Sequence, residues 1–113
     1  MHPNLLLGQA GEARAATWYT DAGYTVLERN WRCAQGEIDL LCTRDQTLVV
    51  CEVKTRHSDR HGAPAEAVTR PKQLRLRRLA VAYLRTYGGH YDEVRFDVAS
   101  ILGTQLTVIE GAF

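Results

Sequence analysis

The sequence predicts an α/β fold in which two helices pack on a mixed sheet. Three observations predict it. Residues 5–22 and the segment following Thr69 carry apolar side chains at helical spacing. Residues 37–43 and 47–55 alternate at a spacing of two around a short polar turn. Two more strand-like runs, residues 93–101 and 105–110, follow the second helix. The resulting order is α-β-β-β-α-β-β.

Each element has a local reason. In residues 5–22, Leu7, Gly11, Ala15, Trp18 and Ala22 recur on one face, and Gly23 suits the position just past a helix end. Residues 24–32 (YTVLERNWR) form a strand leading to a loop at Ala34–Gly36. The next two strands meet at Arg44-Asp45-Gln46 and form an antiparallel hairpin. Residues 56–69 have no period and contain Ser58, Asp59, Gly62 and Pro64, so they read as a loop. Thr69 can cap the second helix, with Pro71 in its first turn, where a missing N–H costs little. Leu76, Leu79, Ala80, Tyr83, Leu84 and Tyr87 make its apolar face, and Gly88-Gly89 end it.

The 113 residues suffice for one domain, 1–113, with its own core. No apolar run is long enough to span a bilayer, and Leu5-Leu6-Leu7 is too short for a secretory signal. The expectation is a soluble cytoplasmic protein without a small-molecule cofactor. Cys33, Cys42 and Cys51 are odd in number and lack a CxxC spacing, which argues against a disulfide framework or a four-cysteine zinc site. Net charge is +1, yet residues 54–85 hold nine Lys/Arg and two Asp/Glu, against five and eleven elsewhere. That asymmetry fits either a solvated helix face or a local anionic partner.

The acidic residues within the strands need a reason. Alternation places Glu37, Asp39 and Leu41 on one face and Ile38, Leu40 and Cys42 on the other. In the next strand Leu48, Val50, Glu52 and Lys54 share a face, opposite Val49, Cys51 and Val53. The hairpin can therefore bring Asp39, Glu52 and Lys54 together. Half-buried carboxylates are costly without partners, and two together repel. Lys54 supplies one positive charge. A divalent ion would supply more, and oxygen ligands favour Mg²⁺ or Mn²⁺. A simple ion pair at the sheet edge is the competing reading. In the first helix, GQAGEARAA surrounds Glu12 with Gly8, Ala15 and Ala16, neighbours small enough to let a helix approach a sheet and leave room for a carboxylate.

Glu12, Asp39 and Glu52-x-Lys54, placed on the first helix and on the second and third strands, resemble the PD-(D/E)xK nuclease superfamily, and within it the archaeal Holliday-junction resolvases. More narrowly, GQAGE, GEIDLL, VVCEVKTR, AVTRPKQLRLRRLA and RFDV resemble the small bacterial YraN family over almost the whole chain. Ile38 stands where the superfamily's name has proline. The resemblance implies a restriction-endonuclease-like αβββαβ core with one extra C-terminal strand. It implies that Asp39, Glu52 and the Val53 backbone carbonyl bind Mg²⁺, that Glu12 binds a second metal or shapes the site, and that Lys54 assists the attacking water. The implied reaction is hydrolysis of a DNA phosphodiester.

The basic section then finds a use. Arg56 follows the Glu-x-Lys strand, Lys72, Arg75, Arg77, Arg78 and Arg85 lie off the apolar stripe of the second helix, and Lys72 and Gln73 sit at its N-terminal end, itself favourable for phosphate. Contacts from such residues to phosphates give affinity that is salt-dependent and blind to sequence. His57 and His61 have no evident third ligand, so a zinc site is not expected. Leu74 and Val81 also fall off the stripe, and a homodimer contact would cover them. The leading expectation is a metal-dependent, structure-selective DNA nuclease acting on branched, flapped or single-stranded DNA. Its alternatives are a non-catalytic nucleic-acid-binding module of the same fold and a protein-interaction domain with a basic helix.

Overall fold

A computed structural model describes residues 3–56 and 68–113, with residues 3–7 described by their backbone alone. His57, His61 and most of the expected 56–69 loop lie outside the described residues. The elements are α1 (Pro3–Asp21), β1 (Thr25–Cys33), β2 (Gly36–Arg44), β3 (Thr47–Arg56), α2 (Arg70–Tyr87), β4 (Glu93–Leu102) and β5 (Gln105–Ile109). This is the αβββαβ order with one further C-terminal strand.

The five strands form one sheet in the order β1-β2-β3-β4-β5. β3 and β4 are parallel and the other neighbours antiparallel. Parallel neighbours need a long crossover, and α2 provides it. α2 covers one face of the sheet, where Leu76, Leu79, Ala80 and Tyr83 meet Trp31, Ile38, Leu41, Leu48, Val50, Phe96 and Val98. α1 covers the other, where Ala15 and Tyr19 meet Tyr24, Leu40, Cys42, Val49, Cys51 and Ala99. β2 and β3 are buried on both faces and so carry near-continuous apolar runs.

The turns follow from local chemistry. Asp45 and Gln46 both take positive φ, 49° and 65°, as a two-residue hairpin turn matching the strand twist requires. Past α1, the Tyr24 N–H donates to Tyr19 O and the Gly23 N–H to Thr20 O, with Gly23 at φ 92°. That is a Schellman ending, and its apolar contact is the edge-on packing of Tyr19 and Tyr24 rings, 5.1 Å apart. At α2, Thr69 Oγ1 accepts the Lys72 N–H, and Gly88 lies at the far end.

Two expectations need correction. The buried face of α1 carries Gly11, Ala15 and Tyr19, while Trp18 is only partly buried. Tyr19 is drawn inward because its hydroxyl donates to the fully buried Asp97 carboxylate on β4, at 2.6 Å. Arg95 donates to both Asp97 oxygens from two residues away, and the Gly111 N–H adds another bond. The second correction concerns β2. Ile38 faces α2, yet Leu40, two residues on, faces α1. Alternation breaks at Asp39, and Asn30 on β1 takes φ 55° at the matching place in the β1–β2 ladder.

Close approach of α1 to the sheet depends on Gly11. A Cβ there would collide with Thr55 Oγ1 and press on Ile101, whereas a Cβ at Gly8 meets open space. Gly11→Ala is therefore expected to destabilise the protein by about 1–3 kcal/mol through overpacking. Gly8→Ala should instead stabilise it by about 1 kcal/mol through helix propensity alone. Urea unfolding of the two variants checks the contrast. Thiol alkylation of the native protein should label Cys33 first: Cys42 and Cys51 are buried, and burial pushes the Cys42 thiol up to about 12.

Candidate active site

The site lies where the β2–β3 ladder stops. Pairing runs from Arg44↔Thr47 to Leu40↔Cys51 and goes no further, while β3 stays paired with β4 as far as Arg56↔Leu102. Glu52, Val53 and Lys54 are thus held firmly on one side and face a gap on the other. Asp39 fills part of that gap, its Oδ2 accepting the Val53 N–H at 2.9 Å in place of a strand carbonyl. A strand residue directs its N–H and C=O to the same edge. The Val53 carbonyl therefore faces the gap that Asp39 borders.

Asp39 and Glu52 are both buried. Burial, and then the Glu52 charge, push the Asp39 carboxyl up to about 7, although the Val53 N–H works in the opposite direction. Glu12 also raises it by charge, which places the α1 carboxylate near the pair. Among the described residues, one Glu12 oxygen, Oε2, is buried without a hydrogen-bond partner, as is the Thr55 hydroxyl on β3. Glu12, Asp39, Glu52 and Lys54 therefore come from α1, β2 and β3 to one end of the sheet.

The second lysine is the unexpected member. Lys72, in the first turn of α2, places Nζ 2.8 Å from Glu52 Oε1, with the Glu52 side chain 8% exposed and that of Lys72 29%. Burial opposes the Lys72 charge, yet its bond and attraction to Glu52 outweigh this and raise its pKa. Lys54 shifts the other way, lowered first by burial and then by the neighbouring Lys72 charge. The chain contains only these two lysines, against twelve arginines. That bias is a signal in the sequence, and grouping Lys72 with the surface arginines overlooks it.

The other basic candidates are dispersed. Arg75 and Arg78 are exposed on α2. Arg77 lies over the Phe96 ring, 4.6 Å from its centre, and so is partly occupied in packing. The Gln73 side-chain amide donates to Val68 O and secures the start of α2. Arg56 is half-buried at the end of β3, its backbone carbonyl accepting the Gly103 N–H.

The donor set suits a hard divalent cation. It offers two adjacent carboxylates whose repulsion is only partly relieved, a backbone carbonyl facing the same gap, and a nearby carboxylate oxygen that has no partner among the described residues. Among the described residues, no three His, Cys, Asp or Glu side chains converge closely enough to hold a metal by themselves. Asp39 and Glu52 are the close pair, and Glu12 stands outside it.

Residues 11–101 match the description of the uncharacterised protein family UPF0102. The chain belongs to that family. It is 50% identical to a UPF0102 protein of Rhodococcus jostii over 102 residues, covering 90% of this chain and 86% of the relative. A UPF0102 protein of Moorella thermoacetica is 46% identical, covering 94% and 93%. One from Syntrophus aciditrophicus is 39% identical, covering 100% and 92%. The matched UPF0102 region includes all four residues of the acidic and lysine set. Among the described residues, no helix is long and apolar enough to cross a membrane.

In metal-free buffer Asp39 should impose a pH dependence on stability. The folded protein holds its proton more tightly than the unfolded chain does, so stability should fall as pH rises from about 4 toward about 7. Asp39→Asn should flatten that decline and gain about 1–2 kcal/mol at pH 8, a figure discounted from the full shift because the group is coupled to Glu52. Thermal unfolding across pH in the presence of a chelator measures it.

Proposed function

We propose that this protein is a metal-dependent nuclease that hydrolyses phosphodiester bonds in DNA, selecting for branched, flapped or single-stranded structure. The observation that carries the reading is the buried Asp39–Glu52 pair with Lys54 beside it, at the place where the β2–β3 ladder opens. A fold gains no stability from two adjacent buried carboxylates, so their placement calls for a cation and a task.

Asp39, Glu52 and the Val53 carbonyl would hold Mg²⁺ or Mn²⁺, with Glu12 at its margin. When bound, the ion would supply positive charge that draws the Asp39 carboxyl into its ionised form and polarises a phosphate oxygen. The remaining chemistry belongs to the side chains. In hydrolysis, a water oxygen bonds to phosphorus while the bond to a sugar oxygen breaks. The water gives up a proton and the leaving oxygen gains one. Lys54 holds its proton less firmly than an ordinary lysine, which suits it to orient the water and accept its proton. As an ammonium, the same group can stabilise charge growing on the phosphate.

Substrate reach follows from α2. Its N-terminal end, itself favourable for phosphate, adjoins the site, and the exposed Arg75 and Arg78 continue the positive surface along the helix. Arg56 extends it from the end of β3. These contacts address backbone phosphates, so selection by DNA shape is expected over selection by sequence.

The test is cleavage of labelled junction, flap, single-stranded and duplex DNA in Mg²⁺ and Mn²⁺. Folded Lys54→Ala and Asp39→Asn proteins should each lose about 100-fold or more in rate. Arg75→Ala and Arg78→Ala should weaken binding and each lower the salt dependence by about one ion. Salt-sensitive binding with no cleavage by the wild type would replace this reading with a binding module. Neither cleavage nor DNA binding would leave the protein-interaction alternative.

A further inference from the structure

Lys72 sits where a cation serving Glu52 would compete with it. Its ammonium takes Glu52 Oε1 at 2.8 Å, while the neighbouring Lys54 already brings a second positive charge. Both lysines and a divalent ion together would crowd several positive charges around two carboxylates. One cation has to leave. Lys54 stands on the central strand β3, whereas Lys72 reaches in from α2 on a long, partly exposed side chain. The arrangement also accounts for the choice of residue. Arginine would clamp a carboxylate with a rigid two-pronged fork, whereas lysine is a compact point charge on a flexible stem and can exchange. Of fourteen basic residues, the only two lysines occupy these two places.

We propose that Lys72 is an exchangeable internal counter-ion, which holds the Glu52 side chain in place before a divalent cation arrives, is displaced by that cation, and then carries its ammonium to a phosphate of the nucleic acid at the start of α2. The proposal rests on the metal-dependent reading above. It adds an ordered exchange: Glu52 keeps one counter-charge without metal, and the site gains a phosphate contact when metal enters. Lys72 is thus a positioning residue for Glu52 and then a binding residue for the substrate.

The experiment is calorimetric titration with Mn²⁺, without nucleic acid, of the wild type, Lys72→Met, Lys72→Arg and Asp39→Asn. Removing the competing charge in Lys72→Met should tighten Mn²⁺ binding by about five- to tenfold, in keeping with the modest strength of a partly exposed ion pair. The firmer clamp in Lys72→Arg should weaken it, and this opposite direction still tests the idea if the methionine variant folds poorly. Asp39→Asn should abolish binding. A second readout is the NMR signal of ¹³C-labelled lysine side chains, where two lysines give a simple spectrum. Adding Mg²⁺ should move the Lys72 signal toward that of a solvated lysine, a change that a purely structural ion pair would not produce. Equal or weaker Mn²⁺ binding by Lys72→Met, with wild-type binding still dependent on Asp39, would overturn the exchange and leave the nuclease reading standing. Absence of Mn²⁺ binding from both the wild type and Lys72→Met would overturn both.

Discussion

The hydrogen bond from the Val53 N–H to the Asp39 carboxylate organises the functional end of the molecule. It sits just past the last β2–β3 pair, with Val53 two residues beyond Cys51, where a regular ladder would have supplied a carbonyl oxygen. Using a side chain there lets the strands part without leaving a buried N–H unsatisfied. The opening leaves Glu52, Val53 and Lys54 without a β2 partner on one edge while β4 holds them from the other. The same substitution places a carboxylate in a dry, negatively charged setting, and that setting is what shifts its proton affinity toward neutrality.

Rigidity elsewhere makes this opening tolerable. The Asp97 carboxylate is fully buried but accepts bonds from Tyr19, Arg95 and the Gly111 N–H, so it ties α1, β4 and the end of the chain together. Arg95 also donates to the Tyr24 hydroxyl, and Arg44 lies over the Tyr24 ring at 4.2 Å. A buried charge satisfied this fully fixes the relative placement of the elements it joins, whereas a half-satisfied one would loosen them. The contrast with Asp39 and Glu52 is instructive. Both sites bury acidic groups, but one is closed by protein donors and the other keeps unrelieved charge.

Gly11 connects these two regions. Its bare backbone lets α1 settle against Thr55 on β3, and that contact brings Glu12 to the margin of the Asp39–Glu52 pair. From the other face, α2 delivers Lys72 through the capped turn that Thr69 begins. Carboxylates and ammoniums thus converge from both layers and from the sheet between them. The lysine pair has opposite shifts because Lys72 is paired directly with Glu52, while Lys54 feels burial and the Lys72 charge more strongly than either carboxylate.

The local sequence determined the element order, the α2 cap at Thr69, the turn at Asp45-Gln46 and the acidic residues that belong at one end of the sheet. These follow from periodicity and backbone chemistry, which act over a few residues. Only the tertiary structure decided that Tyr19 is buried more deeply than Trp18, because its partner Asp97 is 78 residues away. It also decided that alternation fails at Asp39, where the break coincides with the positive φ of Asn30 in the neighbouring strand and with the end of the β2–β3 ladder. Lys72 lay in a basic run that local reasoning assigns to solvent or phosphate. Its pairing with Glu52 arises because the β3–α2–β4 crossover returns the helix start over the strand that carries Glu52, and charge satisfaction across that distance has no periodic trace in the sequence.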